Sequence, residues 1–398
     1  MPKAAINMAS KLQLYAELLP NLRWISLAAS FPSPTDATTR LTLASDGITV
    51  EVAHHGELSR LALPARVAFG ASNLMTPKFG DTTLTWRLEI APKDQSNGLP
   101  LQRDTDLWSA TELDTDYGVA CRKCGASIVG EGVLEGWKDL PSENWAEMME
   151  FWHCHKPDDH SHPDDTTGKA DDTSLATRGY GASSAISAQK KVGLVDLTTL
   201  LFAETDCRSL RFSVSGFEEG SANRQDLGET KAPGLNIFCS SCREQLGFFN
   251  FRAAAVTLLK WQVSCKSKHG TLPGVEECLS AAIISTISRS GSSKSLICPM
   301  STVGGNAAQA IHIWVLNSGI VYSSSLHSGR TPAIKLLYRL MDHGEAERLL
   351  EEITCDAQEI NLPSEFIGQV ILHLDSSNSL LPRSERVLKE WKVGLLQR

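Results

Sequence analysis

The chain has 398 residues, 42% of them apolar, and 38 Lys and Arg against 46 Asp and Glu give it a net charge of -8. That length holds two or three domains, or one large one with insertions, around a sizeable core. An acidic balance without a basic cluster argues against direct nucleic-acid binding, since phosphate backbones are held by concentrated Lys and Arg, so proteins are the expected partners. No uninterrupted apolar run of about 18 residues is present, so no membrane span is expected. Ten cysteines stand behind a start with no charged, apolar leader pattern, which makes a reducing compartment, cytoplasm and nucleus, the expected location.

In chain order, a short apolar-periodic run, Leu12 to Leu19, precedes strand-like sequence. Leu41 and Leu43, a Ser45-Asp46-Gly47 turn, and alternating Ile48, Val50 and Val52 predict a hairpin, because Asp-Gly suits its tight turn. Leu84, Trp86, Leu88 and Ile90 alternate with Thr85, Arg87 and Glu89, which puts one apolar and one wet face on a strand. The expectation is an antiparallel sandwich or barrel over 1–113, punctuated by the polar, Gly- and Pro-bearing stretch from Asp94 to Pro100.

The next segment opens on a thiol knuckle, Cys121-Arg-Lys-Cys124-Gly125, and a second one, Cys239-Ser-Ser-Cys242, stands well downstream. Four thiolates from two tight turns close the coordination sphere of one Zn2+ and leave no position for chemistry, so the metal is expected to be structural. The redox alternative, each pair cycling to a disulfide, calls for a βαβ context that neither knuckle has. Gly247 is expected to let the chain turn beneath the metal.

Between the knuckles, Pro141-Ser142 predicts a helix start, with Ser142 as cap and Glu143 near the positive end of the dipole. Trp145, Met148, Met149 and Trp152 then fall at i, i+3, i+4 and i+7, either a core stripe or a docking element. From 156 to 187 the sequence is rich in Asp, Ser, Thr and Gly with few large apolar groups, and a disordered insertion is expected. Cys154, His155, His160 and His162 are good zinc ligands by type, but their setting lacks rigid turns, and weak surface binding is the expectation.

Val192 to Phe202 reads as a buried strand or short helix, Leu210, Phe212 and Val214 as a strand, and Ala254 to Trp261 as another strand or helix. A zinc-binding β domain is therefore expected over 114–262. In the remainder, 263–398, Pro273-Gly274 starts a helix through Ile287, Asn317-Ser-Gly319 reads as a hairpin turn, and Ile334 to Ile353 carries helical spacing, with Cys355 just past its end. This is a mixed α/β segment. The whole reads as an α+β, β-rich chain of antiparallel sheets.

The knuckle Cys121-x-x-Cys124-Gly125, the strings Leu140-Pro-Ser-Glu-Asn-Trp145 and Trp152-His-Cys-His155, Cys239-Ser-Ser-Cys242 with Leu246-Gly247, and Leu259-Lys-Trp261 together resemble one family, the HECT-like proteins that bind ubiquitin-conjugating enzymes. Asn317, Tyr338, Leu362-Pro363, Leu381-Pro382 and Trp391 extend the likeness, which runs from about Tyr15 to Leu396. The resemblance implies E2 binding, ligase activity through a carrier cysteine, ubiquitin and a cyclin-type substrate as partners, and a part in messenger-RNA 3′-end processing. Cys355 best matches the carrier, because Thr354-Cys355 is followed by Leu362-Pro363, although the spacing is one residue longer than expected of HECT domains and the usual His before the Thr is absent. A half-buried loop cysteine is the structural alternative. The resemblance also points to the segment Ser142 to His155 as a plug for the 3′-end-processing endonuclease, with Trp145 and Trp152 filling the cleft, Met149 among the partner-binding residues, Cys154 ligating zinc and His155 hydrogen-bonding nearby. The middle segment, through its second knuckle and Leu-Gly-Phe-Phe, is similar to β-tent zinc folds.

Overall fold

A computed structural model describes residues 11–68, 79–91, 107–140, 187–213, 235–251, 253–268, 270, 272–300, 309–352 and 354–398. The Ser142 to His155 segment, with Trp145, Met149, Trp152, Cys154 and His155, lies outside the described residues, as does the insertion near 156–187 except for its last residue. The described chain is strand-rich α+β, with 22 strands and three α-helices among those residues.

It divides into two compact units, residues 1–105, 275–300 and 307–398 in the first, and 106–274 with 301–306 in the second. The sequence division at 113 and 263 separates segments that the first unit joins, since Gln13–Leu19 pairs antiparallel with Ala310–Ser324, Glu17 opposite Tyr322. Strand pairing over such a separation leaves no trace in local periodicity.

In the first unit a nine-stranded sheet runs in the order Val387–Leu388, Trp391–Gln397, His327–Met341, Ala310–Ser324, Gln13–Leu19, Trp24–Ser30, Thr83–Glu89. Lys294–Pro299 pairs the far end of Ala310–Ser324 and carries Gln358–Leu362 in parallel on its other side. A three-stranded sheet, Arg40–Leu43, Thr49–His54 and Glu57–Ala62, turns at the predicted Asp46-Gly47, where Asp46 accepts the amides of Ile48 and Thr49 at 2.9 Å. Leu14, Leu18, Leu27, Val50, Val52 and Trp86 from both sheets fill one core, the sandwich expected for this part. Thr83–Glu89 alternates buried and wet residues as its sequence predicts.

Two expectations for the C-terminal part are corrected. Asn317-Ser-Gly319 lies inside one long strand, Ala310–Ser324, where the pairing register shifts; Asn317 accepts the Gly319 amide at 3.0 Å and makes a bulge, not a hairpin turn. The predicted helix Ile334 to Ile353 is the strand His327–Met341 followed by a short helix, His343–Glu351, capped by Asp342. Burial on both faces removes the alternation that marks a half-buried strand, so apolar spacing here mimics a helix. The helix predicted from Pro273 is present as Val275–Ser290, and a third helix spans Ser364–Asn378. Among the described residues no helix is long and apolar enough to cross a membrane.

The second unit has a seven-stranded sheet, ordered Leu210–Ser213, Leu235–Cys239, Gln245–Asn250, Ala255–Leu259, Thr199–Ala203, Val192–Val195, Gly136–Asp139, and a three-stranded sheet, Val263–Ser264, Val119–Cys121, Ser127–Val129. Their shared core includes Val119, Ile128, Leu200, Phe202, Ile237, Leu246 and Val263.

Candidate metal centre

Each thiol knuckle is the turn of a hairpin, and the two hairpins belong to different sheets. Val119–Cys121 runs into the first turn and returns as Ser127–Val129; Leu235–Cys239 runs into the second and returns as Gln245–Asn250. The backbone bonding matches: Cys121 N–H donates to Ala126 O and Cys239 N–H to Glu244 O, both at 2.8 Å. Cys121 and Cys239 are buried, Cys242 is half-buried, and Cys124 is exposed.

The four sulfurs lie within 4.8 Å of one another. Cys121 Sγ to Cys242 Sγ and Cys124 Sγ to Cys239 Sγ are both 3.6 Å, each pair spanning the two hairpins. A disulfide brings sulfurs to about 2.05 Å. Thiolates about 2.3 Å from a tetrahedral ion stand about 3.8 Å apart, so this spacing fits a tetrahedral metal. Burial pushes the Cys121 thiol up to about 12, against the amides of Cys124 and Lys123 that favour its thiolate. At Cys239 burial raises and the amides of Cys242 and Ser241 lower, and the balance brings the thiol down to about 7. Over the centre, Lys123 Nζ meets Glu244 Oε2 at 2.6 Å and ties the two knuckles at the surface. The arrangement is compatible with a structural metal that joins two sheets.

Gly247 does not turn beneath the metal. It sits within Gln245–Asn250, outside the left-handed region, and a Cβ there would collide with the backbone oxygen of Thr257. Close strand approach, not a turn, requires glycine. Sequence reasoning also missed Lys260, which is 2% exposed and donates from Nζ to the carbonyls of Leu107 and Trp108, locking the start of this unit to its core. A lysine between apolar neighbours gives no sign of burial by its type alone.

Cys355 is half-buried at the loop after His343–Glu351, packed against the cluster that holds Leu296, Cys298, Ala310 and Met341, and no hydrogen bond or ion pair reaches its sulfur among the described residues. Asp36, His54 and His55 form a second group of ligand type. It does not make a metal site as it stands, because both His54 ring nitrogens are engaged, Nδ1 with Thr39 Oγ1 at 2.8 Å and Nε2 with Ser33 Oγ at 2.9 Å.

The profile of the HECT-like ubiquitin-conjugating enzyme (E2)-binding family matches residues 17–393, which covers parts of both units. The chain belongs to that family. It is similar to an uncharacterized protein of Saccharomyces cerevisiae, 23% identical over 293 residues, 72% of this chain and 71% of the yeast protein. It is also similar to an uncharacterized protein of Schizosaccharomyces pombe, 27% identical over 99 residues, 24% of this chain and 27% of the other. No solved structure matches it. Four thiolates around one ion leave no coordination position for a substrate, which suits a structural metal.

Proposed function

We propose that this protein binds a ubiquitin-charged E2 and promotes ubiquitin transfer to protein substrates, cyclins among them, with its second unit held by one structural Zn2+. The family match over residues 17–393 is the observation that carries the reading. Zinc is the metal of choice for an all-thiolate, tetrahedral donor set, and when bound it cross-links the two hairpins.

For the transfer we assign Cys355 as carrier, the cysteine that the family resemblance implies. Of the described cysteines, four belong to the metal centre and Cys278 is buried. Burial pushes Cys207 and Cys265 up to about 12 and Cys298 up to about 11, too basic to supply thiolate at neutral pH. The Cys355 thiolate attacks the carbonyl of the E2–ubiquitin thioester, a new C–S bond forms, and the E2 thiolate leaves. A substrate lysine amine then attacks that carbonyl, forms the isopeptide bond, and expels the Cys355 thiolate, its proton passing to water.

One observation favours a second reading, an E2-binding adaptor without a covalent step. No base reaches the Cys355 sulfur among the described residues. A single-turnover assay with charged E2, run on wild type and Cys355→Ser, separates the two. A ubiquitin adduct sensitive to reducing agent and lost in Cys355→Ser supports the carrier; discharge accelerated equally by both proteins, with no adduct, supports the adaptor; no binding and no discharge overturns both.

A further inference from the structure

The first unit carries an open aromatic and cationic face on its C-terminal strands. Directly opposed residues of antiparallel strands share a face, as do alternate residues along one strand. Lys294 stands opposite Trp314, His312 opposite Arg339, and Leu388 opposite Trp391. The side chains are in contact across these strands. The Arg339 guanidinium lies 5.2 Å over the Trp391 ring, Trp314 and Trp391 are 6.4 Å apart edge to face, and Lys294 lies 5.7 Å over Trp314.

His312 forms the floor. It is 7% exposed, sits 4.8 Å from the Trp391 ring, and accepts Arg339 Nε at Nδ1 over 3.4 Å, while its Nε2 is buried without a hydrogen-bond partner. Around it Trp314 and Leu388 remain 40% and 52% exposed. Large apolar groups scattered singly need no explanation, but neighbours on one face with a stacked arginine form the composition of an interface centre.

We propose that this face docks a peptide segment of a partner protein that carries a carboxylate beside a bulky apolar side chain. Charge decides the occupant. Arg339 is held flat by Trp391 and by His312, and among the described residues no carboxylate pairs with it. A pre-oriented guanidinium matches a carboxylate with two parallel hydrogen bonds. Lys294, beside Trp314, is already paired with Asp356 at 2.9 Å and so adds no free charge for an extended phosphate backbone. An apolar side chain of the segment covers Trp314 and Leu388.

The test uses the full-length, metal-loaded protein and a labelled decapeptide with two aspartates flanking a Leu-Phe pair, read by fluorescence anisotropy. Saturable binding is expected, weakened at least ten-fold by Arg339→Gln, by Trp314→Ala, and by changing both peptide aspartates to asparagine. The peptide change leaves the protein untouched, so the proposal stays testable if a variant fails to fold. No binding, or equal binding by wild type and both folded variants, overturns it. So does concentration-dependent self-association lost in Trp314→Ala, which would make the occupant a second copy of the chain.

Discussion

Gly125 and Arg243 hold the same place in the two knuckles. Each follows the second cysteine of its pair, each is left-handed with φ of 72° and 66°, and each donates its amide to the carbonyl of the first cysteine, at 2.8 and 2.9 Å. The repeated geometry explains why one position is glycine and shows that the other bears the strain of a side chain. A Cβ at Gly125 meets nothing within 4 Å, so Gly125→Ala carries only the backbone cost, about 1 kcal/mol. Gly247→Ala drives a Cβ into the Thr257 carbonyl and is expected to cost more than about 3 kcal/mol or to prevent folding. Urea unfolding of both variants checks the contrast; equal effects would contradict it.

Metal binding and folding should be coupled in the second unit. Elemental analysis should find one zinc per chain, and Cys239→Ser should lose the metal and unfold this unit at lower urea, because the thiolates come from hairpins in two sheets. Full stability with no metal bound would refute the centre.

In the first unit, Glu17 is 6% exposed and takes Lys335 Nζ at 3.0 and 2.8 Å and the Tyr15 hydroxyl at 2.8 Å. Lys335→Met leaves a buried carboxylate uncompensated and is expected to cost about 3–5 kcal/mol, while adding Glu17→Gln should restore much of it. Removing the exposed partner of Glu135, by Lys191→Ala, should leave unfolding unchanged. A double-mutant cycle by urea unfolding decides.

His312 makes the first unit sensitive to acid. Burial first, then Arg339 and Lys294, bring its pKa down to about 4. The folded value lies below the unfolded one, so the contribution is fully present above about pH 6.5 and is lost as pH falls toward 4. Between pH 7.5 and 5 wild type should lose on the order of 2 kcal/mol more than His312→Gln. Equal pH dependence of the two proteins would show that the buried ring is not the cause.

The parts legible in the sequence were those with local chemistry. Cys-x-x-Cys twice, Asp46-Gly47, and the alternation from Leu84 to Ile90 each carry their geometry within a few residues. The rest depends on partners distant in sequence. Glu17 meets Lys335 across the strand Ala310–Ser324, and Lys260 meets the Leu107 and Trp108 carbonyls; no spacing rule links them. The hairpin of Ala310–Ser324 with His327–Met341 was hidden for another reason, since burial on both faces replaces alternation with an apolar run. The half-buried loop setting of Cys355, the structural alternative read from the sequence, is present, but the cluster of Leu296, Cys298, Ala310 and Met341 that it packs against comes from strands distant in sequence.

The central claim is that this family member engages ubiquitin-conjugating enzymes, and equilibrium binding tests it most directly. The metal-loaded full-length protein is titrated with a panel of purified E2 enzymes, each free and as a stable ubiquitin conjugate, and binding is read by calorimetry. Saturable one-to-one binding to at least one E2, retained in Cys355→Ser, is the predicted result; absence of binding to every E2 in either form would contradict the account.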